Sequence, residues 1–516
     1  MSSFSQELIC RETTFFGGVG CNTEIKDAIR ETSGNIVFIG YSDCDNGDIP
    51  ITTYGKMNVM VGSCDSTGKL IWMKIFGGTN NDMGYKIIKL KDRCYALLGT
   101  TESNDGDFQS SHTTNGIRDV FLMKLDSSGN KLWEKSYGGD GDNESLSMIE
   151  LPDGSISILG AFTVAGNDIP FSYSSSPFLF DWFLLTVDQS GGKKWLKVYG
   201  GTGDEQTSGS LLYFNRKYYI AASSSSNDYD CFDTSWHNNN SLDFFLIKLN
   251  DTGEFIWSRS YGGSKSDALK CAIYDSTDQS IVMVGNSTSN DFMVIGNHGK
   301  ADMLLVKADT NGSLDWGRCF GGVEDETEQC LTGNSKDGYW AYTNSYSPKL
   351  GVSGSDTWLF LIDSSGSSIS DKVIGGTGID QQAAVLPSNN QLFVLGTSNS
   401  YQFVEGTSNG KKGIADNGFL TWLYYFPTTI VPIYGTRDIL SIYPNPAMNS
   451  FIVSIPNNNK VGVLEVYSSS GQKVYNRTIS ANLSQIKIET TCWIPGSYYV
   501  VWKSDSKTYH GSISCK

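Results

Sequence analysis

The chain has little of what most catalytic and nucleic-acid-binding proteins display. Its 516 residues include four histidines, His112, His237, His298 and His510. None stands in a His-x-x-x-His pair or a nucleophile elbow, so zinc-protease and serine-hydrolase readings have no starting residue. A phosphate-binding Gly-x-x-x-x-Gly-Lys-Ser/Thr is absent, as is a Gly-x-Gly-x-x-Gly opening a helix, and nucleotide use has no support. Basic residues are outnumbered, 39 Lys and Arg against 55 Asp and Glu, for a net charge of −16. That balance argues against nucleic acid, which needs a basic footprint, and against docking to anionic lipid. No apolar run approaches the ~18 residues of a membrane span. The longest, near Gly418–Phe426, suits a buried strand. Met1–Gln6 has neither the basic start nor the apolar middle of a signal peptide. An export signal is expected to have been removed, on C-terminal grounds given below.

Eleven cysteines contain no Cys-x-x-Cys, so neither a zinc ribbon nor a dense disulfide framework is readable. They are expected to behave as small buried hydrophobes. Cys271 and Cys330 each lie nine residues past a Gly-Gly start in adjacent repeats. A disulfide between them would need Cα atoms within ~7 Å, and none is expected.

What the chain does have is self-similarity. Gly-Gly pairs preceded by an aromatic or aliphatic residue open at Gly17, Gly77, Gly138, Gly200, Gly262, Gly321 and Gly375, at intervals of 60, 61, 62, 62, 59 and 54 residues. A period of this length marks one supersecondary unit repeated, each burying an apolar face on its neighbours. In the second copy, Tyr85–Leu90, Cys94–Gly99, Asp119–Leu125 and Leu132–Tyr137 read as four strands. The last two are joined by Asp126-Ser-Ser-Gly129, with Asp first and Gly fourth as a type I turn prefers.

This Asp-x-x-Gly-x-x-x-Trp hairpin recurs as Asp65/Gly68/Trp72, Asp188/Gly191/Trp195 and Asp309/Gly312/Trp316, and with Asn250 before Gly253 and Trp257. The sixth copy keeps Asp363 and Gly366 but has Ser370 in place of the Trp. Seven residues before each turn stands Asn58, Asp119, Asp181, Asp243, Asp302 or Asp356. The hairpin resembles the tryptophan-bearing turn of quinoprotein-type propellers and, more loosely, the Asp-box of sialidases. A sialidase-type enzyme would also need an arginine cluster and a Tyr/Glu pair, which cannot be assembled here.

Four strands, seven copies and no helical period give an all-β fold: a seven-bladed β-propeller over residues 7–426. The seventh copy lacks a fourth strand, and Glu7–Phe16 reads as a fourth strand without its first three. The N-terminal segment is therefore expected to complete the last blade and close the ring.

Residues 427–438 read as a linker with two prolines, and residues 439–516 as a small antiparallel sandwich, Ig-like in class. Tyr443-Pro444-Asn445-Pro446, the stretch Val466-Tyr467 to Gly471-Gln-Lys-Val474, and Gly496-x-Tyr498-x-Val500 before a tail ending at Lys516 closely resemble the type A C-terminal sorting domain of the type IX secretion system. Cys492-Trp493-Ile494-Pro495 departs from the pattern, where the family more often has a leucine and polar residues. The resemblance implies a bacterium of the Bacteroidota kind and reading of this domain by the outer-membrane translocon. It also implies a product released from, or attached to, the cell surface.

Chemistry-bearing candidates are few. Asp43-Cys44-Asp45-Asn46-Gly47-Asp48 sets three carboxylates around a glycine. Hard cations want six to eight oxygens from alternating positions, so Asp43, Asp45 and Asp48 form a weak Ca²⁺ candidate beside the alternative of a solvated turn. Asn104–Asp107, Asn167-Asp168 and Asn227–Asp230 stand at similar places. A second series, Asp82, Asp142, Asp204, Asp267, Asp325 and Asp380, follows the glycine pairs by four or five residues. Its regularity predicts backbone N–H acceptors at blade corners, not catalysis.

The functional expectation is a secreted or surface-attached monomeric binding module for a glycan or protein. Aromatic-rich loops (Phe171-Ser-Tyr173, Phe178-Leu-Phe180, Tyr229, Phe232, Trp236) support it. Alternatives are a carbohydrate-active hydrolase or lyase on the same scaffold, for which no acid/base pair is readable, and a structural envelope component. No catalytic or cofactor residue is assigned.

Overall fold

The computed structural model describes residues 8–515 except 51–53, 113–115, 234–240, 336–337, 348–354, 376–377, 389–390, 400–406, 410–415, 426–439, 444–449, 456–460, 469–472, 481–482, 484, 491–492, 494–495 and 505–507. It is all-β, with one 3-10 turn, Tyr229–Cys231, among the described residues. Two compact units divide the chain, Met1–Pro427 and Thr428–Lys516.

In the first unit, six four-stranded antiparallel sheets follow one another along the sequence, and a seventh of five strands joins the chain's two ends. The arrangement is a propeller-like repeat. Burial follows position within each sheet. The middle strands, such as Tyr95–Thr101 and Asp119–Leu125, are buried at every residue. Neighbouring sheets cover both their faces, so they read as continuous apolar runs instead of alternating ones. The outermost strand, Lys131–Tyr137, is exposed at its start and buried at its end. First strands touch the next sheet's first strand all the way round, from Thr23–Arg30 against Asp82–Lys89 to Asp380–Ser388 back against Thr23–Arg30.

Closure takes the expected form. Leu8–Phe16 pairs antiparallel with Asn417–Tyr425, Phe16 opposite Gly418 and Leu8 opposite Tyr425. The sequence did not suggest the fifth strand, Thr407–Asn409, which runs parallel to Glu12–Thr14 on the outer edge.

The Asp turns form as their residues dictate. Asp126 Oδ1 accepts the N–H groups of Ser128 (2.8 Å) and Asn130 (2.9 Å), and Gly129 turns at φ 81°. The turn glycines from Gly129 to Gly366 lie against the tryptophan of the preceding sheet: a Cβ at Gly129 would sit 2.8 Å from Trp72, and one at Gly253 3.0 Å from Trp195. The tyrosine before a Gly-Gly pair reaches the same turn: Tyr137, Tyr199 and Tyr261 donate to the carbonyls of Gly191, Gly253 and Gly312 at 2.6, 2.6 and 2.8 Å. This explains Ser370. The seventh sheet's last two strands are the two ends of the chain, so no Asp turn follows for a tryptophan there to cover.

Every first strand carries a β-bulge, between Ile25 and Asp27, Gly84 and Lys86, Ser145 and Ser147, Leu269 and Cys271, and Gln382 and Ala384, with wider ones before Gly209 and Cys330. Opposite the narrow bulges the second strand has glycine. At Gly99 a Cβ would lie 2.0 Å from the Met83 carbonyl oxygen, and at Gly285 2.0 Å from that of Ala268.

Among the described residues, the second unit holds seven strands in two sheets. One comprises Ser441–Tyr443, Ser450–Ser454 and Gln485–Glu489; the other runs in the order Lys473–Ile479, Gly462–Ser468, Gly496–Ser504, Thr508–Cys515. Their facing side chains, among them Phe451, Leu464, Val466, Ile488, Val500 and Trp502, make one core. Trp493, the departure noted above, packs between Phe451 (5.9 Å) and Tyr498 (4.7 Å). Among the sorting-signal residues, Tyr443 pairs with Ile452 and Tyr498 with Ile513, Gly496 opens its strand, and Pro444, Asn445, Pro446, Gly471 and Lys516 lie outside the described residues.

Candidate functional site

Antiparallel pairing places the Gly-Gly loops and the long loops between second and third strands at one end of the sheets. The Asp turns lie at the other. Most exposed aromatics lie at the first end: Phe171, Phe178, Tyr229, Phe232 and Phe292 are exposed there, Phe178 to 84%, while Phe255 is exposed at the other. Phe171, Tyr173 and Tyr229 form a chain of rings across two loops, with centroids 5.3 and 4.8 Å apart. Trp236 lies outside the described residues.

One position in these loops departs from its neighbours. Gly47, Gly106 and Asn167 stand at equivalent points with φ of 73°, 59° and 47°, a left-handed conformation that glycine and asparagine accept. In the next two copies the residues are Tyr229 (φ 46°) and Phe292 (φ 53°), 62% and 60% exposed. A bulky side chain there is strained, and the cost is about 1 kcal/mol or more per residue. Sequence reading listed Tyr229 but had no means to see the strain, and it missed Phe292.

The acidic loops hold the Gly-Gly loops in shape. Asp105 Oδ1 accepts from Thr79 N (2.9 Å) and Asp228 Oδ1 from Thr202 N (2.8 Å). In the first loop, Asp43 binds the backbone and side-chain N–H of Asn22 (2.6 and 3.3 Å), and Asp48 faces the Gly17 N–H at 3.4 Å. Asp45 meets only its neighbour, the Asn46 amide, at 3.4 Å among the contacts found. The three carboxylates thus point to separate partners. Among the described residues, one group of three potential ligand atoms lies within 4.8 Å, Cys21, Asp43 and Cys44. Cys21 and Cys44 are joined as a disulfide, a bond the cysteine spacing did not reveal, and its sulfurs are no thiolate ligands.

The Asp series after the glycine pairs resolves into two positions. Asp82, Asp267 and Glu326 accept the Gly78, Gly263 and Gly322 N–H at 2.8, 2.6 and 3.0 Å, and Asn143 does the same for Gly139 at 2.8 Å. One residue earlier, Asp142, Asp204 and Asp325 accept instead from Arg118, Phe180 and Ala301 of the preceding sheet at 3.4, 3.2 and 3.2 Å. Glu205, Glu326 and Asn143 fall outside the aspartate series read from the sequence, because a longer acid or an amide fills the same place.

From the third sheet on to the sixth, the residue at the first of these positions faces the acid that opens the preceding sheet's third strand, Asp119, Asp181, Asp243 or Asp302, across a Gly-Gly glycine; before Asp82 that strand opens with Asn58 instead. Between the second and third sheets, the Asn143 amide donates to Asp119 Oδ1 at 3.3 Å. Between the third and fourth, Asp181 Oδ1 and Glu205 Oε2 converge on Gly200, 2.5 and 2.9 Å from where its Cβ would be. Two buried carboxylates cannot both ionise there. Burial, together with the Asp181 charge, pushes Glu205 up to about 8 in spite of hydrogen bonds from Ser226 and Ser224.

The bulges of the first strands surround a cavity of about 480 Å³, lined among others by Lys26, Lys86, Arg118, Lys270, Glu144 and Tyr342. Here the repeat loses its symmetry. Position nine after the Gly-Gly start is Lys86, Ser147, Gly209, Cys271, Cys330 or Ala384, and in the first sheet, where Lys26 is the unpaired residue, Asp27 takes the place just after the bulge. Asp27 accepts the N–H of Ala28 (2.9 Å) and Ile87 (3.0 Å), and its charge holds the Lys86 ammonium above its ordinary range. Cys271 and Cys330 face each other with sulfurs 3.2 Å apart.

Comparison with known proteins places the C-terminal unit. Residues 441–516 match the secretion system C-terminal sorting domain family. The chain is a type IX secretion cargo, recognised by that machinery and delivered to the cell surface or released. A stretch of 264 residues, 49% of the chain, is 20% identical to the regulatory protein FlaEY of Caulobacter vibrioides, of which it spans 27%. Solved structures similar to the chain include a protein of unknown function from Dyadobacter fermentans (9% identity, TM-score 0.38, 83% of this chain and 100% of that one). The Pan2 WD40 domain of Neurospora crassa (10%, 0.40, 83% and 98%) and the polysaccharide lyase Uly1 (11%, 0.41, 77% and 90%) are others. No helix among the described residues is long and apolar enough to cross a membrane.

Proposed function

We propose that the chain is a monomeric, seven-bladed β-propeller binding module carried to the cell surface by an Ig-like sorting domain, and that its long-loop end takes a glycan or protein ligand. One observation carries the reading. Tyr229 and Phe292 hold exposed rings on left-handed backbone where sister loops use glycine or asparagine. Backbone strain kept at a residue whose ring stays mostly exposed costs stability, and strained outliers concentrate where ligands bind. Aromatic faces suit stacking on sugar rings or burial in a protein interface. The aromatic run Phe171–Tyr173–Tyr229 extends the same surface.

The test is a glycan array probed with the full chain, and a surface-protein pull-down in parallel, each with the Tyr229→Gly/Phe292→Gly double variant. Binding should vanish in the variant while its melting temperature stays level or rises. A variant that binds as well as the parent overturns the reading. Repeating the array with EDTA tests a Ca²⁺ ion at Asp43, Asp45 and Asp48: binding weakened by EDTA and restored by calcium supports the ion, and unchanged binding removes it from ligand recognition.

A further inference from the structure

The cavity inside the ring contains a pair of thiols that the binding surface does not use. Cys271 sits on the strand Asp267–Asp275 and Cys330 on Glu326–Ser335, the first strands of adjacent sheets, which pack on each other. Both line the 480 Å³ cavity, and their sulfurs lie 3.2 Å apart. That separation is too long for a bond and too short for a metal ion held between two thiolates, whose Zn–S or similar bonds run about 2.3 Å each. It is the distance of one thiol donating to the other.

The surroundings favour a thiolate within the pair. The Leu331 N–H donates to Cys271 Sγ at 3.0 Å. Hydrogen bonding from Cys271, and the nearby Lys86 charge, hold Cys330 below the ordinary thiol range, against its burial. Cys271, as the donor, is held well above it. Asp27, on the first sheet, carries the charge that pairs with Lys86, and the Tyr342 hydroxyl bonds Cys330 from the neighbouring strand. An attacking sulfur and a resolving sulfur therefore stand side by side in a space that admits a small disulfide. The same chain already carries one disulfide, Cys21–Cys44, and it is an exported protein, so the compartment permits such bonds.

We propose that Cys271 and Cys330 are a disulfide-forming pair that covalently joins the first strands of the fifth and sixth sheets when the protein meets a disulfide oxidant. The Cys330 thiolate attacks one sulfur of the oxidant and expels its other half as a thiolate. Cys271 then gives up its proton and attacks Cys330 Sγ, and the second half leaves as a thiol. Two protein thiols and one small disulfide become one protein disulfide and two small thiols, so electrons and protons balance.

The experiment uses the full chain and hydroxyethyl disulfide, a probe small enough for the cavity. After treatment, remaining thiols are alkylated in denaturant and the digest is mapped without reduction. The expected result is a Cys271–Cys330 linked peptide lighter by two hydrogens. Recovery of the two cysteines separately alkylated, or each as a stable mercaptoethanol adduct, overturns the proposal. In Cys271→Ser, Cys330 should be trapped as the mixed disulfide. In Cys330→Ser, Cys271 should react more slowly, because it lacks the Tyr342 hydrogen bond that Cys330 keeps. Equal rates in the two variants would overturn the assignment of Cys330 as the attacking sulfur. The oxidised parent should also unfold at a higher temperature than oxidised Cys271→Ser, because a bond closing a loop of 59 residues restricts the unfolded chain, and no difference would overturn the covalent join.

Discussion

The two ends of the propeller-like unit are built from the same seven repeats and obey different rules. At the short-turn end the copies agree almost letter by letter: Asp, then Gly three residues on, then Trp, with the glycine lying on the tryptophan of the preceding sheet. At the long-loop end, and along the bulged first strands, the copies agree in backbone and disagree in side chains. The position just after the bulge is occupied by Lys86, Cys271 or Cys330, and one left-handed loop position by Gly106, Tyr229 or Phe292. Repetition marks what every sheet needs in order to pack on the next. Divergence marks what only one sheet does.

That contrast can be broken from the structural side first. Gly99→Val puts a Cβ 2.0 Å from the Met83 carbonyl oxygen, where neither backbone can yield without opening the bulge. It should cost more than about 3 kcal/mol, read as a large fall in urea midpoint. Trp195→Ala, removing the half-buried wedge over Gly253, should cost about 2 kcal/mol by the same measurement, less than a fully buried tryptophan would.

The seam acids sharpen the comparison by pH. Glu205 has a folded-state pKa of about 8 against an ordinary 4.5, so the folded chain binds more protons than the unfolded one between those values. Its contribution is fully present below pH 4.5 and is lost as pH rises through about 8. Glu205→Gln supplies the N–H that Asn143 supplies one seam earlier, and should flatten this part of the pH profile in thermal melts. A parent whose stability is level from pH 5 to 9 would contradict the shared proton. In the second unit the sign reverses. Glu465 lies between Lys473 and Lys503 and is held at about 2, so its contribution is present above pH 4.5 and lost on acidification. The Glu465→Gln variant should differ from the parent less at pH 2 than at pH 7.

The smallest stability effect should come from the functional side. Tyr229→Gly or Phe292→Gly relieves left-handed strain and should leave stability level or raise it by less than about 1 kcal/mol. A loss of 3 kcal/mol or more would make these rings structural and erase the distinction between the two ends.

Much of the repeat was legible because its signals are local. An Asp four residues before the N–H it caps, a glycine at a turn's left-handed residue and an apolar run long enough for one strand all act over a few bonds. The closing strand was legible too, since Leu8–Phe16 is the one strand the seventh copy lacks. The seam acids were half legible. Asp82 and Asp142 look like one series in sequence but face different sheets, and Glu205 does the work of Asp267 with one more methylene. The Ca²⁺ candidate was read from composition, and only the fold supplies the partners of its carboxylates, Asn22 for Asp43 and the Gly17 N–H for Asp48.

The residues alone determined the strand order, the turns, the number of copies and the sorting domain, because each depends on neighbours a few positions away or on a repeated spacing. Tertiary structure alone decided what the bulges expose. A bulge shifts register by one residue, and side chains alternate faces every residue, so a single unpaired position turns Lys86 and Cys330 into one cavity. It also decided that Cys271 and Cys330, 59 residues apart, stand 3.2 Å from each other, because only a closed ring of sheets sets the distance between two inner strands.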